Sequence, residues 1–266
     1  MKTVVVTGST RGIGRGMAEN FLKRGCNVVV SARNDQQVKE AVEELGKEYG
    51  AERVAGTACD VASYDDLQAL WDCAVANFGT VDHWVNNAGR TLDNAPFWEA
   101  DNAEIESIVA TNLTGLIYAN KVAMKGMAAQ GNGQIWNMEG FGSNGMAQAG
   151  LAIYGATKRA VNYLNKALAK DAADSGVKIC TVSPGMVLTD LLIGEYDTSS
   201  EEWQKVRKTF NILADKVETV TPWLVDNILA NEKDGAKVEW LTTGKVIGRF
   251  LKNLVVKRDL FAGMDI

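Results

Sequence analysis

The sequence predicts an α/β protein, and two observations support that fold class. A short apolar run at Thr3–Thr7 leads into a glycine turn, a helical pattern that closes at Gly25, and a second β-rich run at Asn27–Ser31. Strand, glycine turn, helix and strand in this order form the βαβ unit that binds a dinucleotide. Apolar runs and helical patterns keep alternating along residues 1–266 without a repeat, low-complexity tract or linker, so a single domain is the economical prediction.

Composition excludes several classes of function. The net charge of −5 and the pI near 5.1 argue against nucleic acid as the main partner, because a phosphate-binding surface needs a basic excess. The single histidine, His83, begins an apolar run and is predicted to be structural, which rules out histidine-rich metal sites. The cysteines lie far apart without metal-ligand spacing, so we expect no metal and four reduced thiols of a cytosolic protein: Cys26, Cys59, Cys73 and Cys180.

The start of the chain and its apolar runs bear on localisation. Met1 and Lys2 lead directly into a strand that is too short for the apolar core of a signal peptide. No apolar run approaches the ~18 residues that a membrane span needs. We therefore expect a soluble, cytoplasmic protein.

The glycine turn and the residues after the second strand predict the cofactor. Gly8, Gly12 and Gly14 are spaced G-x3-G-x-G, so bare backbone can admit a pyrophosphate beside the amino terminus of a helix. An NAD-binding unit usually places an acidic residue after the second strand, where this chain has an alanine and Arg33. Together with Arg11 in the turn, Arg33 predicts pairing with a 2′-phosphate and hence NADP(H). Two solvated surface arginines are the alternative.

Two further segments interrupt regular patterns. The apolar run Val81–Val85 stops at Asn86–Gly89, where small and amide residues are typical of a ligand lying across a strand end; a simple turn is the alternative. The long helical pattern Asn102–Ala129 carries Asn112 near its middle. Asparagine is a poor residue there because its side chain competes for backbone hydrogen bonds. Asn112 therefore marks either a functional distortion or a solvent-facing position.

The main candidate for chemistry is the pair Tyr154 and Lys158. Both lie in a helical pattern, Gly150–Ser175, and residues four apart share one face of a helix. A free phenol has a pKa near ~10, and a fixed cation beside it favours the phenolate, which brings a tyrosine toward the range of an acid–base catalyst. Taken alone, the spacing also fits an ordinary exposed pair, so its interpretation depends on the other motifs.

The last third of the chain contains an insertion and an amphipathic tail. Residues 186–237 form a long insertion with two predicted helices, one starting after Ser199–Glu201 and one with Thr221 as N-cap and Pro222 at its first position. In the tail, at about 244–258, apolar residues form one stripe and basic residues lie elsewhere. Docking on the domain, a subunit contact and contact with an anionic membrane surface would each use such a stripe.

Together these motifs resemble the short-chain dehydrogenase/reductases over nearly the whole chain. Six motifs occur in that family's order and spacing: Thr7-Gly8-x3-Gly12-x-Gly14, Asp60, Asn86-Asn87-Ala88-Gly89, Asn112, Tyr154-x3-Lys158 and Pro184-Gly185. The resemblance implies one doubly wound, Rossmann-type domain with a central parallel sheet of about seven strands. It also implies an enzyme that transfers hydride between NADP(H) and a carbonyl or alcohol, assembled as a homodimer or homotetramer through its two long central helices.

The resemblance assigns roles to matching positions. Tyr154 would be the general acid–base, Lys158 would depress its pKa and hold the nicotinamide ribose, and Asn112 would anchor a water in a proton relay. The implied cofactor-binding residues are Gly8, Ser9, Arg11, Gly12, Ile13 and Gly14 around the pyrophosphate and ribose, Arg33 at the 2′-phosphate, Asp60 and Val61 by the adenine, Asn87, Ala88 and Gly89 along the cofactor, and also Pro184, Gly185, Val187 and Thr189.

One position departs from the family pattern. The substrate-orienting serine normally lies thirteen residues before the tyrosine, where this chain has Phe141. Ser143, eleven residues before the tyrosine, is the candidate for that role, and Glu139 is a second residue that can face the pocket. Loss of the serine also fits a non-catalytic NADP-binding sensor, although the intact tyrosine, lysine and asparagine argue against that class.

The segments Asn137–Ser143 and Ser183–Leu192 resemble the chlorophyll b reductases, which use NADPH to reduce a ring formyl group. This resemblance predicts a bulky apolar aldehyde or ketone as substrate, with the formyl group of a chlorophyll b-type tetrapyrrole as one candidate. Relatives that act on other carbonyls have the same motifs and remain the alternative. The candidate pocket-wall residues are Trp98, Met186, Leu188, Leu192 and Trp203.

Overall fold

The computed structural model describes residues 1–91, 96–194 and 198–262. Within these ranges the strands are β1 Thr3–Val6, β2 Asn27–Ala32, β3 Val54–Ala58, β4 His83–Asn86, β5 Gly133–Met138, β6 Val177–Ser183, β7 Val187–Leu188, β8 Asp215–Lys216 and β9 Lys237–Glu239. The α-helices are α1 Gly12–Lys23, α2 Asp35–Tyr49, α3 Tyr64–Phe78, α4 Asn102–Val109, α5 Gly115–Gln130, α6 Ala152–Asp171, α7 Asp190–Ile193, α8 Glu201–Leu213, α9 Val217–Leu229 and α10 Thr243–Asn253.

The strand order confirms the predicted doubly wound fold. Among the described residues, seven strands form one sheet in the order β3-β2-β1-β4-β5-β6-β9, and β7 pairs with β8. Every pairing in the main sheet is parallel, so the carboxyl ends of its strands lie at one edge. The winding direction reverses between β1 and β4, and ligands of such sheets bind in the crevice at that point.

Burial on both faces explains why the strands are continuous apolar runs in the sequence. In β1, Val4 and Val6 join an apolar cluster with α1 and α9, whereas Val5 joins a second cluster with α3 and α5 on the opposite face. Successive strand residues point to opposite faces, so a strand covered on both sides needs apolar residues throughout. His83 is buried at the start of β4, and burial lowers its pKa to about 3, which fits a structural role.

One helix prediction was wrong, and its cause is local. The helix predicted to start at Thr221 begins at Val217, with Pro222 inside it. The Thr221 hydroxyl donates to the Val217 carbonyl at 2.9 Å instead of capping the helix. The long helix predicted over 102–129 is present from Asn102 to Gln130 and contains a π-helical turn at Ala110–Thr114. The other insertion helix, α8, is present and begins at Glu201, within the segment that was predicted to precede it.

The insertion and the C-terminal tail share a third apolar cluster, formed by Leu188, Trp203, Phe210, Ala214, Leu260 and Phe261. No helix in the described part of the chain is both long enough and apolar enough to cross a membrane. The cysteines carry free thiols, and Cys26, Cys59 and Cys180 are buried.

Candidate active site

The turn between β1 and α1 has a bare backbone because no side chain fits there. Gly8 and Gly12 have φ angles of +64° and +57°, a region that other residues rarely adopt. A β-carbon added to Gly14 would overlap the carbonyl oxygen of Gly8. The glycines therefore leave a concave backbone surface at the amino terminus of α1, which suits a pyrophosphate.

Thr7 and Asn87 connect this turn to the end of β4. The Asn87 side-chain amide donates to the carbonyl oxygens of Thr7 at 2.9 Å and Gly8 at 3.0 Å. The Thr7 hydroxyl accepts hydrogen bonds from the backbone amides of Asn87 and Ala88, both at 3.0 Å. The segment after β4 therefore holds the glycine turn in place through hydrogen bonds. The alternative, a simple turn between two elements, would not make these contacts.

Ser9, predicted to line the pyrophosphate, makes structural contacts. Its side chain is fully buried, and its hydroxyl donates to the Val6 carbonyl at 2.6 Å and accepts from the Ser31 amide at 3.0 Å. Its backbone amide donates to the Ser31 carbonyl at 2.9 Å. Ser9 therefore joins β1 to β2 beneath the turn. Ile13, the neighbouring candidate, packs against the apolar cluster around α1.

The two arginines predicted to select NADP(H) are exposed. The Arg11 side chain is 80% exposed, and its guanidinium lies 3.6 Å from the Asp190 carboxylate at the start of α7. Arg33 follows β2 and is also exposed. Because an exposed ion pair contributes little to stability, Arg11 can turn toward a phosphate at small cost.

The other predicted cofactor residues lie along the same edge of the sheet. Val61 is buried, and the start of α5 passes so close that a β-carbon on Gly115 would lie 2.8 Å from the Val61 carbonyl oxygen. Asp60 accepts a hydrogen bond from the backbone amide two residues further on, at 3.0 Å. Thr189 lies beside Gly12, 3.5 Å from where a β-carbon on that glycine would be. Three more predicted residues follow β6: Pro184, Gly185 and Val187.

Asn112 lies in the π-helical turn and faces inward, with 3% of its surface exposed. It accepts a hydrogen bond from the Arg90 amide at 2.9 Å and donates to the Arg90 carbonyl at 2.8 Å and to the Thr157 hydroxyl at 3.3 Å. That hydroxyl donates to the Tyr154 carbonyl at 2.7 Å. The distortion predicted at Asn112 is therefore present, and the solvent-facing alternative is wrong. π-Helical turns of this kind are frequent at functional sites.

Tyr154 and Lys158 lie on the face of α6 that is turned toward the end of β5. The Lys158 ammonium is buried, donates to the Met138 carbonyl at 3.2 Å and lies 5.7 Å from the centre of the Tyr154 ring. Burial lowers the pKa of Lys158 to about 8, and the Glu139 carboxylate opposes that shift. A buried charged group with a perturbed pKa is a feature of functional sites. This is not an ordinary exposed pair.

Glycines allow four segments to meet beside this pair. A β-carbon on Gly89, after β4, would lie 3.5 Å from the Asn112 carbonyl oxygen Oδ1 and 3.9 Å from the Lys158 Nζ. A β-carbon on Gly140, after β5, would overlap the Tyr154 hydroxyl. The ends of β4 and β5, the π-helical turn and α6 therefore converge on one point at the carboxyl edge of the sheet.

Ser143 contacts the loop rather than open space in this structure. Its hydroxyl donates to the Gly140 carbonyl at 2.8 Å and accepts from the Gly140 amide at 3.1 Å, and the side chain is buried. Gly140 is the loop residue that abuts the Tyr154 hydroxyl. Sequence reasoning missed it; the available signal was a glycine directly after a strand end, in the loop that precedes the tyrosine helix.

A ladder of buried amides below the site was also missed. The Asn137 side chain on β5 accepts from Asn86 on β4 at 2.7 Å and exchanges hydrogen bonds with Asn120 on α5, both at 3.0 Å. It donates to Asn165 on α6 at 2.5 Å. Hydrogen bonds among buried side chains fix a single arrangement, so this ladder holds the two strand ends in register with α5 and α6.

Several predicted pocket residues lie elsewhere. Glu139 is buried, and its carboxylate lies 3.1 Å from the Lys237 ammonium on β9, so it does not face a pocket as a free acid. Trp203 is fully buried in the third apolar cluster and is not a pocket wall. Trp98, in contrast, is 83% exposed. The other three candidates lie in or against the third cluster: Met186, Leu188 and Leu192.

The residues present fit a dinucleotide, because added β-carbons would fill or distort the backbone cradle at the switch point of the sheet. A parallel sheet, a glycine turn at that point and a Tyr–Lys pair whose lysine is buried define a nicotinamide-dependent oxidoreductase of the Rossmann type. The chain belongs to the short chain dehydrogenase family, whose model matches residues 2–200.

Comparison with individual proteins agrees with this assignment. The chain is 38% identical over 238 residues to chlorophyll(ide) b reductase NOL, chloroplastic, of Arabidopsis thaliana, covering 88% of this chain and 67% of the relative. It is 34% identical over 262 residues to the probable chlorophyll(ide) b reductase NYC1, chloroplastic, of the same plant, covering 92% of this chain. The chain spans about half the length of that second relative, 52%.

Among solved structures, a variant of actinorhodin polyketide ketoreductase with NADPH superposes with a TM-score of 0.77 at 28% identity, covering 90% of this chain and 95% of the ketoreductase. Membership of the family and these likenesses support the class of oxidoreductases that act on alcohol and carbonyl groups with a nicotinamide cofactor.

Proposed function

We propose that this protein is an NADPH-dependent reductase that converts an aldehyde or ketone to an alcohol with Tyr154 as general acid. The observation that carries the proposal is the convergence of Tyr154, the buried Lys158 and Asn112 beside two glycines. A nicotinamide cofactor bound on the glycine turn supplies the hydride.

The chain's own residues account for the proton transfer. Tyr154 donates its proton to the carbonyl oxygen as negative charge develops there. The Lys158 ammonium, held by the Met138 carbonyl, stabilises the phenolate that remains, because opposite charges attract strongly in a buried site. Asn112 holds the segment after β4 against α6 and, through an anchored water, gives the proton a route back to the tyrosine.

Arg11 and Arg33 support a preference for NADP(H) over NAD(H). Both are exposed, and the position at the end of β2 that would carry an acidic residue in an NAD-binding unit is an alanine. A 2′-phosphate placed between the two guanidiniums gains charge-assisted hydrogen bonds that a ribose hydroxyl does not make.

The substrate we propose is a bulky apolar carbonyl, with the formyl group of a chlorophyll b-type tetrapyrrole as the first candidate. The two plant reductases support that choice through the activity that their names state. Gly140 lies against the Tyr154 hydroxyl, where an added β-carbon would overlap it, so the loop beside the proton donor has to be a glycine. The likeness to a polyketide ketoreductase favours another bulky carbonyl as the second candidate.

The deciding experiment is NADPH oxidation with a panel of carbonyls that includes chlorophyll b, chlorophyllide b, aromatic aldehydes and β-ketoacyl thioesters. Turnover that is highest with the formyl tetrapyrroles supports the first candidate, and turnover only with the others selects the second. If NADPH binds but no carbonyl is reduced, the protein is the non-catalytic NADP sensor that loss of the family serine would also fit.

We propose a homodimer or homotetramer built on the two long helices α5 and α6. Exposed apolar side chains on both helices support it, with Ile117 exposed by 43% and Tyr163 by 76%. An open apolar pocket of about 340 Å³ also lies between α4, the π-helical turn and α6. Light scattering of the purified protein tests this assembly, and a monomer would exclude it.

A further inference from the structure

The C-terminal helix α10 presents an apolar stripe to solvent. Within α10 and the turn after it, six apolar residues are at least 47% exposed: Ile247, Phe250, Leu251, Leu254, Val255 and Val256. Their spacing places most of them on one face of the helix. No residue of α10, all of which the structure describes, is buried. An amphipathic helix therefore turns its apolar side away from the rest of the protein.

The orientation of α10 is fixed by a buried carboxylate. Asp215 accepts hydrogen bonds from Arg249 on α10 at 2.5 Å, from Arg258 beyond it at 3.1 Å, and from the Trp240 indole before it at 2.6 Å. Arg249 also donates to the Leu213 carbonyl at 2.7 Å. Charge-assisted bonds on both sides of the helix hold it in one arrangement. The outward stripe is therefore a feature of the fold and not a frayed end.

The charge of this segment is opposite to that of the rest of the chain. Residues 240–258 contain no acidic residue and five basic ones: Lys245, Arg249, Lys252, Lys257 and Arg258. Because the whole chain carries −5, the other residues carry −10. Lys252 and Lys257 are exposed beside the stripe. Basic residues that flank an exposed apolar helix face match an anionic lipid surface.

The stripe lies at the same edge of the sheet as the active site. α10 starts just after the carboxyl end of β9, and Leu241 before it packs on Gly185, where a β-carbon would lie 2.5 Å from that of Leu241. Gly185 follows the carboxyl end of β6. The start of α10 therefore lies at the same edge of the sheet as the active site.

We propose that α10 docks this protein on an anionic membrane surface. Its 11 residues are too few to span a bilayer, so the helix lies in the interface with the stripe among the lipid chains and the lysines at the headgroups. A second copy of the chain fits less well, because a two-fold contact would bring the same cations face to face. Docking would bring an apolar carbonyl from the lipid to the site; that last step rests on the proposed function, whereas docking itself does not.

Co-sedimentation of the intact protein with phosphatidylcholine vesicles, with and without about a third of phosphatidylglycerol, tests the proposal. We expect binding to the anionic vesicles only, weakened by 0.5 M salt, because salt screens exposed charges. L251S/L254S should reduce the bound fraction at least tenfold, and K252E/K257E should abolish the preference for anionic lipid. Val75→Ser is the control, since Val75 is a 37% exposed apolar residue on α3.

Thermal unfolding and NADPH binding of each variant show whether it is folded, so loss of vesicle binding by a folded variant supports docking. Equal sedimentation of the wild type with and without vesicles would overturn the proposal. So would a change from dimer to monomer in L251S/L254S without a change in vesicle binding, which would assign the stripe to a second copy.

Discussion

The two sides of the active site are built differently. On the cofactor side, Gly8, Gly14 and Asn87 come from two short motifs. They pack so closely that a β-carbon added to either glycine would be crowded. On the substrate side, Glu139 pairs with a lysine on the last strand, and the third apolar cluster joins α8 to the C-terminal tail. The cofactor side is therefore specified by local sequence, and the substrate side by packing between segments far apart in the chain.

The largest effect is expected where the two sides meet. Tyr154→Phe removes only a hydroxyl, so kcat/KM should fall by about 10²–10⁴-fold, the contribution of a general acid, while NADPH binding is unchanged. Tyr163→Phe is the matched control, because Tyr163 lies on the same helix and is 76% exposed. Wild-type turnover by Tyr154→Phe on a confirmed substrate would show that the Tyr154 hydroxyl has no catalytic role.

Gly140→Ala should give the next largest effect, because the new β-carbon would overlap the Tyr154 hydroxyl and displace it. A displacement of about 1 Å can cost about 10²-fold in kcat, and NADPH affinity should change little. Gly248→Ala is the control, since nothing lies within 4 Å of a β-carbon there. An unchanged kcat in Gly140→Ala would mean that catalysis does not need the hydroxyl at this place.

Arg33→Ala tests the cofactor side alone. Loss of a charge-assisted hydrogen bond should weaken NADPH binding by about 1.5–3 kcal/mol and leave NADH binding nearly unchanged. Titration of both cofactors by fluorescence measures the two affinities, with Lys39→Ala on the exposed face of α2 as control. Equal losses for the two cofactors would show that Arg33 does not meet the 2′-phosphate.

Lys158→Met should lower activity yet stabilise the protein without cofactor by about 1–3 kcal/mol at pH 7. Burial lowers the pKa of Lys158 from 10.5 to about 8, so below pH 8 the folded protein bears the full cost of a buried charge. Between pH 8 and 10.5 the folded state releases this proton before the unfolded state does, and the cost declines. Urea unfolding should therefore show a smaller gain at about pH 10. A loss of stability at neutral pH would mean that the bond to Met138 outweighs burial.

Ser143→Ala should have the smallest effect on turnover. The Ser143 hydroxyl is used between the amide and carbonyl of Gly140, so we expect less than a tenfold fall in kcat and a loss of about 1–2 kcal/mol in unfolding free energy. Thr157 and Asn112 are untouched by the change. A fall of about 10²–10³ with unchanged stability would instead assign Ser143 as a donor to the developing alkoxide.

The sequence could predict the features that local sequence specifies, and it could not predict those that depend on packing between distant segments. The strands, the glycine turn and the Tyr–Lys pair were predictable because each depends on residues a few positions apart, through alternation, turn conformation or helical spacing. Even the distortion at Asn112 had a local signal, since asparagine is a poor residue inside a helix.

The rest depended on distant contacts. Trp203 looked like a pocket residue because the sequence does not show that Phe261, far along the chain, covers it at 5.6 Å between ring centres. No sequence motif marked Gly140, because its importance comes from its close contact with the Tyr154 hydroxyl in the folded protein. Pro222 was taken as the start of a helix, although the turn before it, held by the Thr221 hydroxyl, is already helical.

The π-helical turn at Ala110–Thr114 has a consequence for how the two helices beside it can change. An α-helix rotates by about 100° per residue, so the wider turn shifts the angular phase of α4 against α5. α4 packs on α6, whereas α5 packs on α3. Deleting a single residue from the turn would restore a regular helix with better hydrogen bonds, but one of these contacts would then rotate out of place. Apart from Asn112, the segment should therefore tolerate substitution far better than a change in length.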